Sequence, residues 1–201
     1  MQQINLDEKW SFRRGMLDSI GMLEAPGMLV NLPHDGMISL GVAENAEAHY
    51  DSGYYPGDVC NYTKYVMIPK EWENELVGLQ FDGVMMHTSI DVNGCKVGEH
   101  HYGYSPFYVD LTDYVTFGEE NRITINVNTG IQPSSRWYTG SGLFRGVTLC
   151  HSKRVHILPD GIYVITKDVT DDIAFLEAQV DVENQTLENR MVEVMVELFN
   201  D

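Results

Sequence analysis

Apolar and polar residues alternate with a period of two along most of the chain, the spacing of strands with one buried face. Met86, Thr88, Ile90 and Val92 alternate with His87, Ser89 and Asp91. Asn93-Gly94 then offers two positions tolerant of positive φ, which predicts a tight hairpin returning through Cys95 to Tyr102. Ile123, Ile125 and Val127 share one face of a strand over Arg122 to Asn128, after a turn at Gly118-Glu119-Glu120-Asn121. Cys60 to Ile68 and Glu75 to Phe81 read as strands separated by Pro69 to Asn74, and Leu143 to Leu149 as another. Helical spacing is weak, apart from a single turn expected over Leu111 to Tyr114. Several short strands so spaced predict an all-β sandwich.

A second region follows Leu158-Pro159-Asp160-Gly161, a turn-forming run that predicts a linker. Beyond it Ile162 to Asp168 is strand-like, and Ala174, Leu176, Ala178, Val180 and Val182 alternate with mostly polar residues. Asn184 to Asn189 reads as a loop, after which Val192, Val194, Val196 and Leu198 alternate again. Three strands are too few for an immunoglobulin-like sandwich, which uses about seven in ~100 residues. The region is therefore either a small accessory sheet on the first domain or the opening of a domain cut short. The ending at Phe199-Asn200-Asp201, directly after a strand pattern, favours the second. Apolar surface left open over 158–201 predicts association or disorder there.

Composition narrows the function classes. The 201 residues include 30 acidic and 13 basic side chains, a formal charge of −17, and the basic residues are not clustered. Nucleic acid and anionic membrane surfaces are thereby disfavoured as partners. Hydrophobic residues at 43% and charged residues at 21% are globular values. The three cysteines, Cys60, Cys95 and Cys150, are widely spaced and suggest neither a disulfide framework nor a cysteine-pair zinc site. With no signal-peptide pattern at the start, the expected setting is reduced and cytoplasmic.

The densest chemistry lies in Ser134 to Arg145, where Arg136, Trp137 and Tyr138 precede Thr139-Gly140-Ser141-Gly142. Arginine's planar donor fork beside flat aromatic faces suits sugars, which present C–H surfaces and hydroxyls. The plainer reading makes Trp137 and Tyr138 corner aromatics and Arg136 a surface ion-pair partner. Asp35, in Pro33-His34-Asp35-Gly36, is a second candidate for ligand hydroxyls, or simply a turn cap. His100-His101 beside Glu99 invites a metal reading, but adjacent strand residues point to opposite faces and do not readily chelate one ion. No metal site and no cofactor are assigned.

Taken in order, a set of segments resembles the amino-terminal part of glycoside hydrolase family 2, the bacterial β-galactosidases especially. They are Trp10-Ser11-Phe12, Val30-Asn31-Leu32-Pro33-His34-Asp35, Gly53-Tyr54-Tyr55, Tyr62-Thr63-Lys64, Phe81-Asp82-Gly83 through His87, and Val92-Asn93-Gly94. Gly103-Tyr104-Ser105-Pro106-Phe107, Asp110-Leu111-Thr112, Gly118 to Asn121 and Ser135 to Arg145 complete the series. The resemblance implies a jelly-roll, galactose-binding-like β-sandwich over 1–157, followed from 158 to 201 by part of an immunoglobulin-like β-sandwich. It also implies a (β/α)₈ barrel further along, holding the catalytic glutamates. No catalytic residue is therefore assigned here, and this polypeptide is expected to be inactive alone.

The same resemblance implies that first-domain loops help shape a pocket for a carbohydrate, a β-galactoside or related glycoside. Arg136 falls where several relatives place a sugar-contacting acid, with Trp137 and Tyr138 beside it, and Asp35 is a weaker candidate for the same pocket. Gly36 and Asn61 stand where the family commonly has Trp. Partners so implied are the chain's own downstream barrel and possible further copies in a homo-oligomer. A freestanding carbohydrate-binding module and a purely structural buttress are the competing readings.

Overall fold

A computed structural model describes residues 1–15, 27–130 and 137–199. Twelve strands are assigned among them. In chain order they are β1 (Gln2–Asn5), β2 (Trp10–Arg14), β3 (Met28–Val30), β4 (Val59–Ile68), β5 (Leu76–Phe81) and β6 (Thr88–Val92). The others are β7 (Cys95–His100), β8 (Phe107–Asp110), β9 (Glu119–Asn128), β10 (Val147–Ser152), β11 (Val155–Val169) and β12 (Ala174–Asn184). Ten of them form two antiparallel sheets ordered β1-β10-β5-β8 and β3-β2-β4-β9-β6-β7, the sandwich that alternation predicts. Interleaved strand order of this kind brings loops distant in sequence to a common end of the sandwich.

The core is the period-two pattern realised. Cys60, Tyr62, Val66 and Ile68 of β4, Ile123, Ile125 and Val127 of β9, and Ile90 and Val92 of β6 are buried inward from the larger sheet. Val77, Leu79 and Phe81 of β5 and Val147 and Leu149 of β10 meet them from the smaller one. Register aligns these faces, with Tyr62 opposite Ile125, Cys60 opposite Val127 and Leu149 opposite Leu79. Phe81 stacks on its cross-strand partner Phe107 at 4.6 Å between centroids, and Trp10 is fully buried with its indole N–H on the Leu6 carbonyl. Leu111 to Tyr114 forms the expected turn, closed by the Tyr114 N–H on the Leu111 carbonyl.

Three expectations shift. The strand expected over Leu143 to Leu149 begins at Val147, because residues 142–145 are drawn into the loop contacts described below. The Leu158 to Gly161 run lies inside β11 rather than between elements: the ladder to β12 changes register between Ile157 and Ile162, and Asp160 takes a positive φ. A turn-forming run can be absorbed as a bulge when the strand continues on both sides. The third alternating segment, Val192 to Leu198, makes no strand, since no neighbouring strand supplies it with a ladder among the described residues.

Strands β11 and β12 pair only with each other and carry exposed apolar side chains, among them Ile162, Tyr163, Val164, Phe175 and Leu176. No helix among the described residues is long and apolar enough to cross a membrane.

Candidate functional site: a loop face built on Asp35

The loop after β3 and the loop before β10 are joined backbone to backbone. His34 N–H donates to the Leu143 carbonyl at 2.8 Å and Gly36 N–H to the Ser141 carbonyl at 2.6 Å. Gly142 in turn exchanges both backbone bonds with Met85, at 2.7 and 3.0 Å, which ties in the loop before β6. Gly142 has φ +113°, and a Cβ there would lie 2.1 Å from the Tyr62 hydroxyl and 3.2 Å from the His34 carbonyl. Only glycine fits, so the Gly-Ser-Gly spacing of the sequence marks a close backbone approach.

Asp35 stands at the centre of this junction. Its Oδ1 accepts the Met37 N–H at 2.8 Å and the Ser141 N–H at 3.0 Å. Its Oδ2 accepts the Tyr138 hydroxyl. A carboxylate held by three donors from two loops is far better fixed than a turn cap, although one of the three, Met37, is the cap bond that sequence suggests. Gly140, at φ +73°, brings its backbone so near that a Cβ would sit 3.1 Å from Oδ2.

Aromatic rings surround the carboxylate. Tyr138 packs edge-on against Tyr55 at 4.8 Å, and burial, with the Asp35 hydrogen bond second, raises its pKa well above that of a free phenol. Its hydroxyl is therefore a permanent donor at neutral pH. Below it, His34 packs on Phe12 at 4.5 Å and its Nδ1 meets the Tyr62 hydroxyl at 2.8 Å. Burial lowers the His34 pKa from 6.5 against the pull of Asp35, while burial raises that of Tyr62. The imidazole is thus neutral at pH 7.

The sequence candidates part company here. Asp35 and Tyr138 are in direct contact. Trp137 instead turns outward, 68% exposed, its ring edge over Gly53, where a Cβ would come 3.4 Å from Cζ2. Exposed Tyr54 continues the same surface. Arg136 lies outside the described residues. Tyr55, Gly140 and Ser141 belong to the site but are not singled out by composition; Tyr55 at least sits in the Gly53-Tyr54-Tyr55 segment that carries the resemblance.

The two positions that depart from the family pattern also have a physical setting. At Gly36 a Cβ would lie 2.7 Å from the Cys60 sulfur and 3.3 Å from the Phe12 ring, so nothing larger fits this packing. Asn61 is buried on the face of β4 opposite Cys60 and Tyr62, its amide donating to the Gly15 carbonyl. His100 and His101 diverge as strand geometry requires. His100 stacks on Phe107 at 4.1 Å, whereas His101 faces His87.

Fold and loop face together define an all-β sandwich domain whose one end presents a fixed carboxylate among aromatic rings. Comparison with known proteins gives the family: residues 48–153 match the signature described as "Glycosyl hydrolases family 2, sugar binding domain", and the chain belongs to this family. A β-galactosidase of Bacteroides ovatus is 30% identical over 196 residues, which cover 96% of this chain and 23% of that protein. A β-glucuronidase of Bacteroides fragilis is 27% identical over 194 residues, covering 92% and 26%. Among solved structures, a glycosyl hydrolase family 2 member from Bacteroides cellulosilyticus superposes with a TM-score of 0.84 at 31% identity, over 90% of this chain and 24% of that one. The chain therefore spans about a quarter of the length of the relatives it matches.

Proposed function

We propose that this chain serves as the non-catalytic, pocket-shaping part of a β-galactosidase-like glycosidase, acting on a β-galactoside or a related glycoside such as a glucuronide. The single observation that carries this reading is Asp35, held by Met37, Ser141 and Tyr138 on the loop face of a family 2 sugar-binding domain. Preorganised acceptors suit sugar hydroxyls because no side chain must be ordered on binding. Exposed Trp137 offers the flat apolar partner that the C–H face of a sugar needs. Bond cleavage takes two carboxyl groups flanking the glycosidic oxygen, and in this reading both come from a barrel outside these residues.

The same proposal divides the chain at 157/158, within β11, takes the rest of the β11–β12 hairpin as the start of an immunoglobulin-like sandwich, and sets the protein in the cytoplasm, with further copies of itself as candidate partners. The test compares chromogenic β-galactoside and β-glucuronide turnover by this chain with turnover by the full-length enzyme. Turnover only in the full-length protein, with KM raised by Asp35→Ala or Trp137→Ala, is the expected result. Turnover by the 201 residues, with contaminants excluded, overturns it.

A second reading, a freestanding carbohydrate-binding module, draws on the solvent-facing Trp137 ring. Saturable heat on titrating galactosides into this chain, abolished by Arg136→Ala, would favour it.

A further inference from the structure

Strand β6 pairs with β7 so that Thr88 lies opposite His100, and the next residue on each side, His87 (φ +47°) and His101, lies just outside that ladder. The two Nδ1 atoms are 3.4 Å apart, with ring centroids 5.6 Å apart and planes at 51°. On the far side of its ring, His101 Nε2 lies 3.7 Å from Glu99 Oε1, while the other Glu99 oxygen accepts a 2.5 Å bond from Lys96. The backbone at His87 is pinned too: Asn128 N–H reaches the Met86 and His87 carbonyls at 3.1 and 3.3 Å.

We propose that His87 and His101 form a two-imidazole site for a divalent transition-metal ion of the zinc, nickel or copper class. Two nitrogens bound to one zinc at about 2.0–2.1 Å and at the tetrahedral angle stand about 3.3–3.4 Å apart, the spacing seen here. At 3.4 Å the two nitrogens are also within reach of a single N–H···N hydrogen bond, which a bound ion replaces. Glu99 Oε1 lies on the Nε2 side of the His101 ring, and Nδ1 on the other side is turned to His87. A carboxylate behind a ligating imidazole is the usual arrangement that fixes tautomer and ring orientation. Imidazole ligands select borderline transition ions over magnesium or calcium, which take oxygen. Water completes the coordination, since the His101 side chain is 66% exposed. The site is separate from Asp35 and needs no part of the glycosidase reading.

The test titrates zinc chloride into the 201-residue chain carrying Cys95→Ser, which removes the exposed thiol as a competing ligand. Calorimetry gives the affinity, and imidazole ¹⁵N spectra identify the rings. The expected result is one saturable equivalent that shifts Nδ1 of His87 and of His101, with Kd raised at least about tenfold by His87→Ala or His101→Ala. His49→Asn is expected to leave Kd unchanged. Zinc that shifts other imidazoles, unchanged affinity in both alanine variants, or no binding up to about 1 mM overturns the proposal.

Discussion

Residues 2–152 and residues 155–184 are both antiparallel β-structure with alternating apolar positions, yet the two regions differ in what stands across from their apolar faces. In the sandwich Phe81, Tyr62 and Leu149 each meet the opposite sheet and lose nearly all contact with water. In the hairpin β11 is longer than any sandwich strand, at 15 residues, and Phe175 and Tyr163 remain 58% and 61% exposed. Hydrogen-bonded length is therefore not what separates a core from a surface. Apolar burial is, because ladder bonds largely exchange water bonds for protein bonds with small net gain, whereas removal of apolar area from water is the dominant favourable term.

The difference can be broken or sharpened by substitution. The largest effect is expected at Phe81, where truncation to Ala should cost about 3–5 kcal/mol in urea unfolding through the cavity it leaves. Next comes Asp35→Ala, which frees two backbone donors and the Tyr138 hydroxyl and should cost about 2 kcal/mol by the same measurement. His34 should impose a smaller, pH-dependent effect. Its folded pKa lies below 6.5, so the unfolded chain binds more protons in the window beneath that value. Its contribution is complete above pH 6.5 and is lost as pH falls towards the folded pKa. His34→Gln should accordingly flatten the part of the stability profile between pH 7.5 and 5 that the wild type loses. The smallest change is expected from Phe175→Ala, within about 0.5 kcal/mol in the same chain. A loss at Phe175 comparable with that at Phe81 would erase the contrast between the regions.

Much of the sandwich was legible because β6 throughout, and β4 and β9 over most of their length, bury every second residue, which is what alternation records. The strands that escaped are short or edge elements. All four residues of β1 are exposed, and β3 has three residues with none buried, so neither carries a period. The Val192 to Leu198 segment shows the converse: alternation is present, but a strand is defined by its neighbour, and the described chain offers none.

At the site, ordered motifs pointed to Asp35 and Tyr138 separately, but their contact spans 103 positions and has no sequence signature. Trp137 and Tyr138, adjacent in sequence, part to opposite fates, one in solvent and one against Tyr55. The His87–His101 contact likewise forms just beyond the end of the hairpin ladder, whereas the sequence drew attention to His100 and His101.

The junction between residues 34–36 and 141–143 is made by main-chain atoms, with glycine at its tightest point. Amide groups are common to all residues, so the joint is indifferent to most of the side chains it displays. Rim residues such as Trp137 can then be exchanged in evolution or by design while the frame beneath keeps its shape. Such a mounting lets one sandwich carry different side chains on an unchanged frame.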